Sequence, residues 1–183
     1  MLKINNNSAL FDDITHYHSD NCDNRPKDII IDTIIIHCIS LPMGSYDNQN
    51  IVDLFTNNLD INQDPSFKSL KDVRVSSHLL IKRDGEIIQF VPFYLRAWHA
   101  GVSKHKERDN CNDYSIGIEL EGTDKSKFTD VQYERLNEII RSLKDFYPKI
   151  VDENIIGHNE VSPDRKNDPG PYFEWNRIRY NLW

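Results

Sequence analysis

The chain is poor in cysteine and glycine and has no long apolar run. Its 183 residues include three cysteines and seven glycines. Cys22, Cys38 and Cys111 form an odd and sparse set, which argues against a disulfide framework and reads as free thiols in a reducing compartment. The longest apolar stretch, Ile29 to Ile36, is interrupted by Asp32 and Thr33, so no segment reaches the length of a membrane span and no membrane partner is expected. The opening "MLKINNNSALFDD" lacks the apolar centre of a secretory signal, and a cytoplasmic location is the expectation. Positive charge is also scarce. Lys and Arg number 22 against 29 Asp and Glu, a formal net charge of −7, with an isoelectric point near 5.4. The one basic cluster, "KHKERD" from Lys104 to Asp109, mixes signs, so nucleic acid is not expected as a partner.

What is present fits one α/β domain over residues 1–183, with a core from about 25 to 175 behind a polar N-terminal arm, 1–24. Residues 1–28 are polar and read as a surface arm. "IIIDTIIIHCIS" is β-branched and almost continuously apolar, the pattern of a strand buried on both faces. Ile51, Leu54 and Phe55 mark a short helix, and "NLDINQDPSFKSLKDVRVS" a long surface excursion. "SHLLIKRDGEIIQFVP" predicts a hairpin turning at Asp84-Gly85. In "SIGIELEG", Ile116, Ile118 and Leu120 face one way, and Ser115, Gly117, Glu119 and Glu121 the other. Thr129 and Gln132 form a capping box before a helix whose apolar stripe runs through Leu136, Ile139, Ile140, Leu143 and Phe146, ending before Pro148. "NIIGH" predicts a short last strand and "YFEWNRIRYNLW" a terminal helix. Strands alternating with helices, plus a hairpin, predict a mixed central β-sheet flanked by helices.

Three of these elements end in a residue able to bind metal. His37 follows the buried strand, His158 follows the last strand, and Asp168 sits in "RKNDPGPYFEW", where Pro169 and Pro171 stiffen the chain. Two imidazoles and a carboxylate suit Zn²⁺, with a fourth position open to water. Singly, each has another reading: a hydrogen-bonded core histidine, a turn residue, a cap on the terminal helix. No short H-x-x-x-H signature joins them, so only the fold can bring them together.

The segments "IIIHCISLP", "RVSSHLLIKRDGEIIQFVPF", "RAWHAGVS", "CNDYSIGIELEGTD", "FTDVQYERL" and "GHNEVSPDRKNDPGPYFEW" occur in this order. Together they resemble the zinc N-acetylmuramoyl-L-alanine amidases, and within them the cytosolic 1,6-anhydromuramyl-peptide amidases of bacterial cell-wall recycling. The resemblance runs from about Arg25 to Trp175 and implies a peptidoglycan-amidase-like fold. It implies His37, His158 and Asp168 as ligands of one Zn²⁺, Glu119 as the acid/base group and Lys166 as a second catalytic group. Choosing Glu119 over Glu121 rests on the resemblance, because either carboxylate could lie on a solvated sheet face. The implied partner is a small muropeptide. Arg74 and Arg165 are candidates for its carboxylates, and Trp98 and His99 could line the cleft. Solvated arginines and a core tryptophan are the competing readings. His78 is expected to make a structural hydrogen bond, and Cys38, next to His37 on a strand, to face away from the metal. Two alternatives share the resemblance: a peptidoglycan-recognition module that binds without cleaving, and an envelope amidase acting on intact peptidoglycan.

Overall fold

The β-branched run around Ile35 forms an interior strand, as its composition predicts. A computed structural model of the chain describes residues 2–179. In chain order the elements are β1 (Thr15–His16), β2 (Cys22–Asn24), β3 (Thr33–Ile39), α1 (Asn50–Phe55), β4 (Leu79–Ile81), β5 (Ile87–Gln89), β6 (Leu95–Ala97), β7 (Lys104–His105), β8 (Arg108–Asp109), β9 (Ser115–Glu121), α2 (Asp130–Phe146), β10 (Ile155–Gly157), α3 (His158–Val161) and α4 (Asn176–Arg179). The main sheet has the order β1-β5-β4-β9-β3-β10. Its pairs are parallel except the β4–β5 hairpin, so the sheet is mixed as expected. Among the described residues no helix is long and apolar enough to cross a membrane.

The period-2 pattern of the two central strands places their side chains. Ile34 and Ile36 of β3 and Ile116, Ile118 and Leu120 of β9 pack with Leu136, Ile139, Ile140 and Leu143 of α2. The helix starts where the sequence predicts: Thr129 accepts from the Gln132 amide and Gln132 reaches back to Thr129. The opposite face carries Ile35, packed with Ala100, Tyr114 and Ile156, and further along the sheet the apolar side of α1. His37 follows Ile35 by two residues and shares its face.

Three expectations need correcting. The N-terminal segment is not a surface arm: β1 pairs with β5, β2 pairs with β6, and Phe11 stacks edge-on against Phe93 at 5.3 Å. Most of its polar side chains are exposed, but buried Asn21 and half-buried Arg25 tie it to distant parts of the chain. Asn21 donates to the carbonyls of Phe55 and Val75 and to Asn57, while Arg25 donates to the carbonyls of Phe93, Asn112, Asp113 and Ser115. The buried strand begins at Thr33, and Ile30 before it is 54% exposed. The terminal helix is shorter than expected at its start: Tyr172 to Trp175 are not helical, the helix runs Asn176–Arg179, and residues 180–183 of that expectation lie outside the described residues.

Candidate active site

His37, His158 and Asp168 meet at the C-terminal ends of adjacent parallel strands. β3 carries His37 two residues before its end, inside the strand and not after it. β10 pairs with β3, Gly157 opposite Ile36, and delivers His158 as the first residue of α3. Asp168 returns beside them because its carbonyl accepts from Asn159 N at 2.9 Å. Gly170 holds the turn that follows. Its φ is +88°, and a Cβ there would lie 2.3 Å from the Asp124 carbonyl oxygen. Asp168 therefore does not cap α4.

The three groups present one atom each to a common point. His37 Nδ1 lies 2.9 Å from His158 Nδ1, His158 Nδ1 lies 3.0 Å from Asp168 Oδ2, and His37 Nδ1 lies 3.3 Å from the same oxygen. A tetrahedral ion with bonds of about 2.0–2.1 Å places its ligand atoms about 3.3 Å apart. The cluster is close to that spacing, and its N, N, O donor set suits Zn²⁺. Burial, reinforced by neighbouring His158, lowers the His37 pKa to about 4, so its imidazole is neutral at pH 7. A neutral imidazole at His37 is the state a metal ligand needs.

Glu119 stands directly opposite His37 in the β3–β9 ladder. The solvated-face alternative fails here, since every residue of β9 is buried. The two carboxylates of that strand differ sharply. Glu121 accepts from Asp47 N and Arg83 N, each at 3.0 Å, so it pins two loops to the sheet. Glu119 Oε2 is buried with no hydrogen-bond partner. Burial first, then the Asp168 charge, raises the Glu119 pKa well above the usual carboxylate value, against the opposing pull of Lys166. Burial of the Cys38 thiol, and then Glu119, push its pKa up strongly, which leaves it protonated.

A cleft of about 320 Å³ opens beside Asp168 and is lined by Cys38, Met43, Thr123, Arg165 and Lys166 among others. Lys166 also borders a second depression of about 680 Å³ that includes Tyr172 and Trp175. Arg165 reaches this region, but its Nη2 donates to the carbonyls of Ala100 and Val102 and to Ser162 Oγ. Arg74 lines a different depression with Leu59, Ile61 and Leu70. Trp98 is half-buried and helps, after Arg96, to hold Asp23 below the usual carboxylate range. His99 lies behind the cluster, with Nδ1 3.0 Å from His37 Nε2. Neither Trp98 nor His99 borders the cleft beside Asp168. His78 accepts from Gly117 N at 3.0 Å, the structural role expected of it. Sequence reasoning missed Arg25 and Asn112, whose partners all lie far along the chain.

The chain belongs to the N-acetylmuramoyl-L-alanine amidase family, whose pattern matches residues 25–171. The fold agrees with that class of hydrolase. Within the family its resemblance is to one particular amidase: it is 50% identical over 161 residues to the 1,6-anhydro-N-acetylmuramyl-L-alanine amidase AmpD of Escherichia coli (strain K12), a match covering 88% of this chain and 87% of the relative. A crystal structure of a selenomethionine AmpD derivative superposes with a TM-score of 0.93 at 45% identity, covering 98% of both chains. More distant is E. coli AmiD in complex with the substrate anhydro-N-acetylmuramic acid-L-Ala-D-gamma-Glu-L-Lys: TM-score 0.60, 30% identity, 86% of this chain and 60% of that one.

Proposed function

We propose that the chain, as a single amidase domain, is a zinc-dependent cytoplasmic enzyme of cell-wall recycling. It hydrolyses the amide bond between the lactyl carbonyl of a 1,6-anhydro-N-acetylmuramyl group and the L-alanine of its stem peptide. The names of its relatives and the fragment held by AmiD support that substrate class. The observation that carries the reading is the convergence of His37, His158 and Asp168 beside an unpartnered buried carboxylate, Glu119. A recognition module has no use for a complete ligand set and a buried base.

His37 Nδ1, His158 Nδ1 and Asp168 Oδ2 would hold the ion. The chemistry zinc supplies when bound is Lewis acidity, which polarises an amide carbonyl and brings the pKa of water to about 7. Glu119 takes a proton from the attacking water and delivers it to the departing alanine nitrogen. Burial raises its pKa above the usual carboxylate value, which helps it hold the proton taken from water until that proton is delivered. Lys166 places its positive charge near Glu119 and His37, where it stabilises negative charge on the carbonyl oxygen, a contribution of roughly 10²–10³ in rate for one such donor.

The test is mass spectrometry of products from a defined anhydromuropeptide, with and without chelator, run against the matched non-anhydro compound and intact sacculi. Expected are free stem peptide from the anhydro compound, loss of turnover on chelation and its return with Zn²⁺. Full activity in protein shown by elemental analysis to be metal-free would end the zinc reading. Efficient digestion of sacculi would favour the envelope enzyme.

A further inference from the structure

The two imidazoles facing Asp168 are gripped from behind by one short segment. Ser115 Oγ gives its only hydrogen to the Cys111 carbonyl at 2.6 Å. It can then only accept from His99 Nε2, 3.3 Å away, so that nitrogen carries the hydrogen. A neutral His99 is left with a bare Nδ1, which lies 3.0 Å from His37 Nε2. The contact is a hydrogen bond only when His37 carries its hydrogen on Nε2. His37 Nδ1, the atom that faces Asp168, is then a free lone pair. The next residue does the same for the other ligand. The Ala100 carbonyl, which can only accept, lies 3.2 Å from His158 Nε2, so His158 carries its hydrogen there and presents a bare Nδ1.

The segment is itself held in place. Asn112 Oδ1 accepts from His99 N at 3.2 Å and from Ala100 N at 2.8 Å. Arg165 donates to the Ala100 carbonyl at 2.6 Å. The His99 ring rests on Gly117 of β9, where a Cβ would come within 2.4 Å of it. The missing side chain at Gly117 is what lets the ring reach His37.

We propose that His99 and Ala100 form a clamp that fixes both metal-facing histidines as Nε2–H tautomers, and that His99 is a positioning residue and not a substrate contact. The inference rests on the zinc reading of the site and deepens it. With both Nδ1 atoms unprotonated, three electron-pair donors face one another with no hydrogen between them, an arrangement that a cation relieves. Outer partners that orient metal-bound histidines are typically worth about 10–100-fold in affinity.

Two measurements on the full chain test it. Competition with a chromophoric chelator gives Zn²⁺ affinity, and long-range ¹H–¹⁵N spectra of the metal-free protein report which ring nitrogen of each histidine is protonated. The expected wild-type spectrum shows His37, His99 and His158 all protonated on Nε2. His99→Phe should lower zinc affinity about 10–100-fold. His99→Gln, whose amide oxygen can accept from His37 while its NH₂ reaches Ser115, should recover most of it. Ser115→Ala frees the far end of His99 without touching His37, and should weaken zinc binding less while mixing the His99 tautomers; it decides the matter if His99→Phe does not fold. Unchanged zinc affinity in folded His99→Phe, or a wild-type spectrum with His37 protonated on Nδ1, overturns the clamp. A wild-type protein with the expected tautomers that binds no zinc overturns the metal reading and leaves the clamp standing.

Discussion

Glu119 and Glu121 sit two residues apart on one strand and point to the same face, yet their substitution should have opposite consequences. Glu121→Ala removes the acceptor for two backbone amides, Asp47 N and Arg83 N. An unsatisfied buried amide costs about 1–3 kcal/mol. Asp47 is exposed and water can reach its amide, whereas Arg83 is half-buried, so the sum falls toward the lower half, about 2–4 kcal/mol. For a domain of this size each kcal/mol shifts the midpoint by about 2–4 °C, giving a Tm lower by roughly 4–16 °C. Glu119→Ala removes a carboxylate whose Oε2 satisfies nothing, so stability should hold or rise. Its effect belongs to the chemical step, where loss of a general acid/base costs about 10²–10⁴-fold in kcat. The assay is a calorimetric Tm for each variant beside kcat on one anhydromuropeptide, at a temperature where both are folded. A Glu119→Ala protein that loses as much Tm as Glu121→Ala, or that keeps wild-type kcat, would refute the division of labour drawn from their partners.

Lys166→Ala should lower kcat by about 10²–10³ while zinc stays bound, read by steady-state kinetics with metal analysis, because the role proposed for it is to stabilise charge. Gly170→Ala should weaken zinc binding measured by chelator competition, since a Cβ 2.3 Å from the Asp124 carbonyl must shift the turn that carries Asp168. Replacing Cys22, Cys38 and Cys111 together with Ser or Ala should preserve specific activity in whatever fraction folds. Cys38 lines the cleft, but burial keeps its thiol protonated and unreactive.

Features written in adjacent residues were legible from the sequence. The Asp84-Gly85 hairpin and the Thr129–Gln132 capping box depend on partners within a few positions, and both formed as expected. The alternation in β9 was equally plain, because period 2 is a local property. The meaning of Glu119 was not, since the amides that distinguish it from Glu121 lie in the segments around Asp47 and Arg83. The polar N-terminal segment was misread for the same reason: Asn21 and Arg25 find their carbonyls at Phe55, Val75, Phe93 and Ser115. Residue type alone made His99 a plausible cleft residue. The one local hint of its place was a glycine inside an otherwise bulky strand at position 117.

The pairing of His37 with Glu119 has a consequence for how such an enzyme can diverge. The two residues are aligned by a ladder running from Thr33–Ser115 to Ile39–Glu121, and that ladder is locked by the isoleucines buried under α2. A slip of one position would turn one side chain of the pair to the opposite side of the sheet. The spacing between His37 and the proposed proton carrier Glu119 is thus dictated by core packing, while Met43 and Lys166, which line the cleft beside Asp168, belong to loops. Loop residues can drift, lengthen or be exchanged without disturbing that spacing. Substrate preference is free to evolve in one part of the chain while the reaction itself is inherited through another.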